Sequence, residues 1–406
     1  MLKSTNRIIT THVGSLPRTP ELLAANTLRL DGRYPGGEEA FAEMLEREVV
    51  ALVARQSAIG IDVVGDGEYG KEMTSSVDYG AWWSYSFQRT GGLEIDTDLE
   101  WLTTKVESSP GDVRLTGFAN RRDRTIFADA YNDPTSGIFT GGGKEARPFP
   151  HATGPITYIG QGAIQADIAG LKAGLAETGA PEGFITALSP GSASRISNNF
   201  YSTEEEWMYA WADVLREEYK AIIDAGLILQ IDDPSIAENF DQISPEPSIK
   251  DYVAFTQLRV DALNYALRDL PEDRIRFHLC WGSWHGPHTT DIPMADIVET
   301  MLKINACGYT FEAGNVRHEH EYRVWDDVEL PADKVIIPGV VSHATNVVEH
   351  PQVVADRIVR FADRVGRERV IASTDCGLGG RIHPQIAWAK LESLVEGARL
   401  ATGDLW

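Results

Sequence analysis

Cysteine, basic charge and long apolar runs are all scarce in this 406-residue sequence. Three cysteines, Cys280, Cys307 and Cys376, are too few and too odd in number for a disulfide framework, so we expect free thiols or metal ligands. With 60 acidic against 37 basic residues, the net charge of −23 would repel a phosphate backbone, and no polybasic segment offsets that repulsion. We therefore predict no nucleic acid partner.

Apolar residues never run far enough without charge to suggest a membrane segment, which needs about 18 of them. The opening MLKSTNRIITTHVGS also lacks the apolar region that follows the basic residues of a secretory signal. We expect a soluble cytoplasmic protein without a membrane partner. At 43% hydrophobic residues, the chain can bury a large core.

Short runs rich in Val, Ile and aromatic residues alternate with segments of helical periodicity, which is typical of parallel sheets with crossover helices. The first run, 7–13, is followed by an apolar helix face within Glu38–Ile59 and by a second run at 61–68. Six further runs cover 184–192, 227–235, 274–280, 309–315, 335–343 and 370–379. Because most runs end in polar or turn residues, we predict a (β/α)8 TIM barrel. A doubly wound open sheet would concentrate its polar loops at one switch point.

The segment from about 80 to 160 breaks this alternation. It contains an aromatic cluster and a turn-rich run at 140–155. We interpret it as an insertion after the second strand of a single domain that spans 1–406. The insertion either covers the mouth of the barrel or is an exposed decoration with its own small core. The run 154–162 is either a strand of the insertion or a barrel strand, in which case one of the eight assigned strands is miscounted.

The strongest chemical signal is the H-x-C pair formed by His278 and Cys280 at the end of a predicted strand. Alternate residues of a strand point to one face, so an imidazole and a thiolate are presented together, as in half of a zinc site. Cys376 and Glu312 end two other strands, and a barrel would bring all four residues to one rim. Alternatively, each is a packed or solvated side chain. Cys307, within the predicted apolar helix MLKINACGY, is assigned to the core.

Seven strings, spread over nearly the whole chain, resemble the catalytic C-terminal barrel of cobalamin-independent methionine synthases in the same order. They are TTHVGSLPRT, GDGEYG, LQIDDPSIAE, HLC, FEAGN, GVVSHATNV and STDCGLGGR. The resemblance implies a zinc-dependent methyltransferase that makes methionine from homocysteine. In that family, zinc is held by the H-x-C pair, a Glu on the next strand and the Cys of a D-C-G-L turn. These positions fall on His278, Cys280, Glu312 and Cys376.

The same resemblance implies which residues hold the substrate. The family binds homocysteine through residues that match Ser15, Glu68 and Asp232. Two carboxylates can bind an ammonium group, while a serine hydroxyl and backbone amides bind a carboxylate. Without the resemblance, Asp232 and Asp233 would be interpreted as a helix cap and Glu68 as a solvated turn residue. His343 matches a family histidine that protonates the leaving group, and its place at a strand end suits acid catalysis.

Departures from the family concern the alkyl donor. The family enzyme has a second, N-terminal barrel and a loop Trp that helps to hold methyltetrahydrofolate, whereas TGPIT is followed here by YIGQG without that Trp. The segment after HLC is WGSWHGPHTTD, whose Trp and His residues either line a pocket for another donor or pack under the insertion. Methylfolate, methylcobalamin and a protein that carries the methyl group all stay open as donors. A homo-oligomer stays open as well.

Two other functions are compatible with the same residues. One is a zinc-dependent thiol transferase or C–S lyase that acts on an epoxide or a thioether without a folate donor, as in the related epoxyalkane:coenzyme M transferases. The other is a noncatalytic barrel with a structural zinc ion. Glu68 and Asp232 favour an amino-acid thiol over coenzyme M, because they suit an ammonium group.

Overall fold

Short apolar strands alternate with helices along the residues that the computed structural model describes, which are 1–75, 80–96, 104–138 and 149–406. The strands are β1 (Ile9–Thr10), β2 (Val63–Gly65), β3 (Thr90–Asp96), β4 (Phe149–Tyr158), β5 (Glu182–Leu188), β6 (Ser197–Asn198), β7 (Ile228–Asp233), β8 (Ile275–Leu279), β9 (Gly308–Phe311), β10 (Val335–Val341) and β11 (Ile371–Thr374). The helices span Pro20–Leu30, Gly37–Ile59, Ala81–Gln88, Arg122–Ile126, Ala128–Asn132, Gln161–Thr178, Pro190–Ala193, Glu204–Asp224, Ile249–Ala266, Met294–Met301, Val324–Asp327, Pro351–Val365 and Pro384–Leu405. Among the described residues, no helix combines the length and the apolar character that a membrane span requires.

Eight strands form one parallel sheet in the order β1-β11-β10-β9-β8-β7-β5-β2. The Asp62 N–H donates to the Thr10 carbonyl at 3.1 Å, which links the two ends of this order and rolls the sheet into a barrel. Helices connect successive barrel strands, as the right-handed β-α-β crossover requires. The (β/α)8 prediction is confirmed. Each of the eight predicted runs overlaps one barrel strand, although β5 begins two residues and β9 one residue before its run.

Apolar side chains fill the amino-terminal part of the barrel. Six barrel strands contribute to one buried cluster, namely Ile9, Val63, Phe184, Ile228, Val335, Ile337 and Ile371. Next to it, the buried Arg276 guanidinium lies 3.5 Å from the centre of the Phe184 ring and donates to the Thr11 hydroxyl at 3.0 Å. The polar ends of the strands are therefore left for the opposite, carboxyl-terminal face, where barrels of this type build their sites.

The helix predicted over MLKINACGY is wrong beyond its first residue, because the helix ends at Met301. The Cys307 N–H donates to the Ile275 carbonyl at 3.0 Å, so the chain has already entered the sheet beside β8. Pairing with the neighbouring strand overrides the helical periodicity at this point. Cys307 is nevertheless buried, as its assignment to the core requires.

The insertion lies between β2 and the helix Gln161–Thr178. Within it, β3 pairs antiparallel with β4, and β4 pairs parallel with the short β6 from the loop after β5. The run 154–162 therefore supplies the end of β4 to a separate three-stranded sheet, and the count of eight barrel strands stands. Most of the turn-rich run, 140–148, lies outside the described residues.

Part of the insertion contacts the loops that leave the carboxyl ends of β7 and β8. Arg121 forms an ion pair with Glu238 at 2.7 Å. The Trp284 indole N–H donates to the Tyr131 hydroxyl at 2.7 Å. This part of the insertion therefore lies at the mouth of the barrel.

A buried charge network joins the insertion to two barrel helices. Arg89, next to the helix Ala81–Gln88, donates to Asp167 at 2.6 Å and to Glu218 at 3.0 Å. The carboxyl group of Asp66, just after β2, lies within the field of this network. Burial and the negative charge of Asp167 raise the pKa of Asp66 to about 7.

We expect Asp66 to make stability fall as pH rises. A carboxyl group whose pKa is raised on folding stabilises the folded chain below its unfolded pKa, and this contribution is lost as pH increases through about 7. Since one pKa unit corresponds to about 1.4 kcal/mol, the loss between pH 5 and 8 should be roughly 2–4 kcal/mol. Urea unfolding of Asp66→Asn should show a flatter pH profile than the unmutated chain. The exposed Asp129→Asn control should keep the original profile, and equal profiles for all three proteins would contradict this assignment.

Candidate metal and substrate site

His278, Cys280 and Cys376 meet at the carboxyl ends of β8 and β11. Their ligand atoms all lie within 4.8 Å of one another, and all three residues are buried. His278 lies in β8, and Cys280 follows two residues later, so that the two side chains point to the same face. Cys376 lies two residues beyond β11. The structure thus brings together three of the four residues that the sequence predicted as metal ligands.

The imidazole of His278 is oriented by a carboxylate. Its Nδ1 atom lies 3.2 Å from Asp232 Oδ1, which also accepts a hydrogen bond from Gln230 Nε2 at 2.6 Å. Burial works to lower the pKa of His278, but the hydrogen bond and charge of Asp232 raise it. Its Nε2 atom is buried without a hydrogen-bond partner in the part of the chain that the structure describes. A carboxylate on one imidazole nitrogen and an available second nitrogen are typical of histidines that bind metals.

The two thiols act on each other's pKa. The hydrogen bond from Cys280 lowers the pKa of Cys376 to about 5, while the same bond raises the pKa of Cys280 well above its usual value. Cys376 Sγ also lies 3.5 Å from Ser283 Oγ, which accepts a hydrogen bond from Arg381 Nε at 2.6 Å. A bound metal would favour the thiolate form of both residues, because thiolates are the form in which cysteine binds metals.

Glu312, the fourth predicted ligand, lies beside this group rather than within it. Its carboxylate clusters with His343 and Asp375, whose ligand atoms lie within 4.8 Å of one another. One oxygen accepts the Trp281 N–H at 3.3 Å, and the other accepts the Asn315 side-chain amide at 2.7 Å. The carboxylate is thus fixed at the rim by the loops that follow β8 and β9.

Buried groups of both charges surround Glu312, with His318 and His288 opposing Asp375 and Cys376. Burial raises the pKa of Glu312 to about 8, and the negative charges of Asp375 and Cys376 add to this shift. The pKa of His343 is instead held well below its usual value by burial and by the positive charge of Arg381. The sulfur, imidazole and carboxylate donors form a set that suits a divalent metal, and in particular zinc.

Ser15 lies on the turn after β1, against the turn that carries Glu68. Gly14 has a φ of 49°, and a Cβ atom there would lie 2.4 Å from Glu68 Oε1, so only glycine allows the two turns to approach this closely. The Ser15 hydroxyl donates to the Gly379 carbonyl at 3.2 Å and accepts from Arg18 Nη1 at 2.7 Å. Ser15 is therefore next to both Glu68 and the turn that contains Cys376.

Glu68 is held in a strained backbone conformation. Its φ of 61° is left-handed, which costs a non-glycine residue about 1–2 kcal/mol. The Asp66 carboxylate accepts the Glu68 N–H at 3.0 Å and supports this conformation. The Glu68 side chain accepts the Thr186 hydroxyl at 2.9 Å and pairs with Lys71 Nζ at 3.5 Å. It is a buried, organised carboxylate and not a solvated turn residue.

Asp232 connects the two halves of the site. It pairs in register with Leu188 of β5 and with His278 of β8. Burial works to raise the pKa of Asp232, but the hydrogen bond and charge of His278, together with the charge of Lys71, hold it below its usual value. Asp232 therefore contacts a candidate metal ligand, a role that its assignment to the substrate did not include.

Sequence reasoning missed several functional positions. Asp375 accepts the backbone N–H groups of Ala313 and Gly314 at 2.8 and 2.7 Å and so ties the loop of Glu312 to the turn of Cys376. The signal was present, because Asp375 immediately precedes Cys376 in the D-C-G-L string. Arg381 and Lys71 are buried cations of the same region. Neither lies in a periodic sequence pattern that would predict where its side chain points.

The aromatic loop after β8 packs largely against the insertion. The Trp284 ring lies between the Arg121 guanidinium, 4.1 Å from its centre, and the His288 ring at 3.9 Å. His285 Nε2 lies 3.4 Å from the His343 carbonyl. One histidine of the loop therefore touches the site, while Trp284 serves the interface with the insertion.

Comparison with known proteins identifies the family of this chain. The family described as the catalytic domain of cobalamin-independent synthase matches residues 182–400, which include His278, Cys280, Glu312 and Cys376. A methionine synthase from Thermococcus kodakarensis is 23% identical over 98% of this chain and 94% of its own length. A 5-methyltetrahydropteroyltriglutamate–homocysteine methyltransferase from Thermotoga petrophila is 22% identical over 96% of this chain but only 44% of its own length.

A solved structure has the same fold. The B12-independent methionine synthase of Shewanella sp. W3-18-1, in complex with selenomethionine, superposes with a TM-score of 0.70 at 17% identity and covers 98% of this chain and 99% of its own. Since the family match covers more than half of the sequence, the chain belongs to the family of cobalamin-independent synthase catalytic domains.

Proposed function

We propose that this chain is a zinc-dependent methyltransferase that methylates the sulfur of homocysteine. The observation that carries the proposal is the buried group of His278, Cys280 and Cys376, whose imidazole has an unpartnered Nε2 atom within the described part of the chain. Its relatives named methionine synthase support the reaction, and the family match supports the site.

The donor set fits zinc. Zinc in proteins is bound by thiolate sulfur, imidazole nitrogen and carboxylate oxygen, usually with four ligands. We assign His278, Cys280 and Cys376 as three ligands and Glu312 as the fourth. Bound zinc supplies a positive charge that lowers the pKa of a thiol and holds the resulting thiolate. Burial raises the pKa of Glu312. A bound zinc ion would also compensate the negative charge of this carboxylate.

The amino-acid end of homocysteine falls, in this proposal, on Glu68, Asp232 and Ser15. Glu68 is a buried carboxylate, the Asp232 side chain is 13% exposed, and both suit an ammonium group. Ser15 lies beside Glu68 and next to the turn of Cys376, so the substrate would extend from the two turns toward the metal ligands. Positioning the sulfur in this way reduces the entropy cost of the transfer step.

His343 is assigned to proton transfer to the leaving group. It belongs to the cluster of Glu312 and Asp375, and its Nδ1 atom is buried without a hydrogen-bond partner among the described residues. Burial and the charge of Arg381 keep the imidazole neutral at rest. The substrate thiol releases a proton when it becomes a thiolate. We assign His343 to accept a proton at its Nδ1 atom and to pass it to the leaving group as the carbon–donor bond breaks.

Cys376→Ser tests the proposal directly, because a hydroxyl is a poor zinc ligand and the site should lose both metal and activity. Zinc content would be measured by mass spectrometry, and methionine would be quantified from L-homocysteine with methylcobalamin or methyltetrahydrofolate as the donor. Cys307→Ser is the matched control, since Cys307 is buried at the amino end of β9, away from the group. We expect the control to keep both properties. Full zinc and full turnover in Cys376→Ser would refute the site.

Asp232→Asn should weaken zinc binding by about 10- to 100-fold, because the His278 imidazole would lose its anionic partner. Competition with a chromophoric chelator measures this affinity. Glu68→Gln removes the other carboxylate without contacting His278, so it should retain zinc and weaken only homocysteine binding. Identical zinc affinities for Asp232→Asn and the unmutated chain would show that Asp232 does not support the metal ligand.

A further inference from the structure

Lys71 is a buried cation without a role in the proposed methyl transfer. Its side chain is 6% exposed, and its Nζ atom donates to the Thr186 hydroxyl at 2.7 Å. The same atom lies 4.2 Å from the centre of the Tyr85 ring and 3.5 Å from Glu68 Oε1. Burying an ammonium group is costly unless its charge is compensated, so this position calls for a specific role.

The position of Lys71 coincides with the amino-acid end of the site. Thr186 accepts the hydrogen bond from Lys71 Nζ and donates its own hydroxyl to Glu68. Thr186 also lies against the turn that contains Ser15, because a Cβ atom added at Gly14 would be 3.1 Å from Thr186 Cγ2. The charge of Lys71 also acts on Asp232. Lys71 therefore pairs with Glu68, acts on Asp232 through its charge and is held by a threonine next to the turn of Ser15.

An amino acid brings two opposite charges to the site. Glu68 and Asp232 attract the ammonium group but repel the carboxylate of the same molecule. Ser15 offers that carboxylate little, because its hydroxyl already donates to the Gly379 carbonyl. Lys71 has three N–H donors, of which Thr186 takes one, and 3.5 Å to Glu68 is longer than a good hydrogen bond.

We propose that Lys71 binds the carboxylate of the thiol substrate, so that the site selects thiols that carry a carboxylate group. The inference rests on the proposed function, because it assigns the far end of the same substrate. The competing role is that of a counter-ion, in which Lys71 only compensates Glu68 and the neighbouring Asp66 and Asp167. Loss of a counter-ion would leave negative charge that weakens the binding of carboxylate thiols and strengthens the binding of an aminothiol. Loss of a direct contact would weaken only the carboxylate thiols, and a variant that keeps the charge but misplaces Nζ would affect only the direct contact.

The test measures the binding of three thiols to the zinc-loaded full chain by calorimetry. L-homocysteine carries both charged groups, 4-sulfanylbutanoate carries only the carboxylate, and 3-aminopropane-1-thiol carries only the ammonium group. In Lys71→Met we expect the first two to bind about tenfold more weakly or worse, since a charge-assisted hydrogen bond is lost. The affinity for the aminothiol should change by no more than about threefold, which is the size of effect typical of a weak, solvent-screened charge interaction. Lys303→Met, at an exposed lysine, is the matched control and should change none of the three.

Thr186→Val provides a second variant that keeps the charge and nearly the same shape but removes the hydroxyl that orients Nζ. It should reproduce the selective loss for carboxylate thiols, to a smaller extent. Equal weakening of all three thiols, or no weakening of the carboxylate thiols, would overturn the inference. Stronger aminothiol binding in Lys71→Met together with unchanged binding of the carboxylate thiols in Thr186→Val would overturn it as well, because that pattern is the one expected of a counter-ion. If binding shows the expected selectivity but no methyl donor yields product, the proposed function fails while the assignment of Lys71 holds. If the unmutated chain binds none of the thiols, both fail.

Discussion

The cost of burying negative charge at the mouth of the barrel is the constraint on which the site depends. Two thiols and the Glu312 carboxylate lie out of contact with water, close enough for each to act on the pKa of another. In a medium of low polarity, such groups either keep protons or require a cation. The raised pKa of the Cys280 thiol and the pKa of about 8 for Glu312 reflect this cost. A divalent metal would satisfy all of these groups at once.

The barrel supplies the rigidity that this arrangement needs. Parallel strands fix the backbone positions of His278 and Asp232, which pair in register, so the imidazole cannot turn away from its carboxylate. The turns beyond the strands are held by close packing at Gly14 and by the strained conformation of Glu68. Strain of this kind persists only where the surrounding structure over-determines the backbone, and such positions cluster at functional sites. The substrate half of the site is thus as constrained as the metal half.

Much of this organisation could be predicted from the sequence, because strand alternation and strand ends are local properties. The H-x-C pair at His278 and Cys280, the D-C-G-L turn of Cys376 and the eight barrel strands all follow from such local patterns. Sequence could not show that Glu312 would cluster with His343 and Asp375, because that depends on how three loops meet at the rim. The sequence also could not show that Glu312 lies beside His278, Cys280 and Cys376 and not among them, because either placement is compatible with the same positions at strand ends.

Lys71 and the end of the helix at Met301 were missed for different physical reasons. Lys71 lies in an irregular loop, where no periodicity predicts the direction of a side chain. The role proposed for it depends on its hydrogen bond to Thr186 of β5, which is distant in sequence. The apolar pattern of MLKINACGY continues past Met301, but the backbone there pairs with β8, so tertiary contacts and not propensity decide the structure. Contacts between distant segments account for each of these differences.

Zinc-edge X-ray absorption of the purified chain, before and after L-homocysteine is added, tests the central claim most directly. The unliganded site should contain zinc with two sulfur ligands, from Cys280 and Cys376, together with lighter donors. Saturating homocysteine should raise the sulfur count by one, because the substrate sulfur binds the metal as a thiolate. A sulfur count that does not change at saturation would contradict thiol activation by the metal, and a chain without zinc would contradict the site itself.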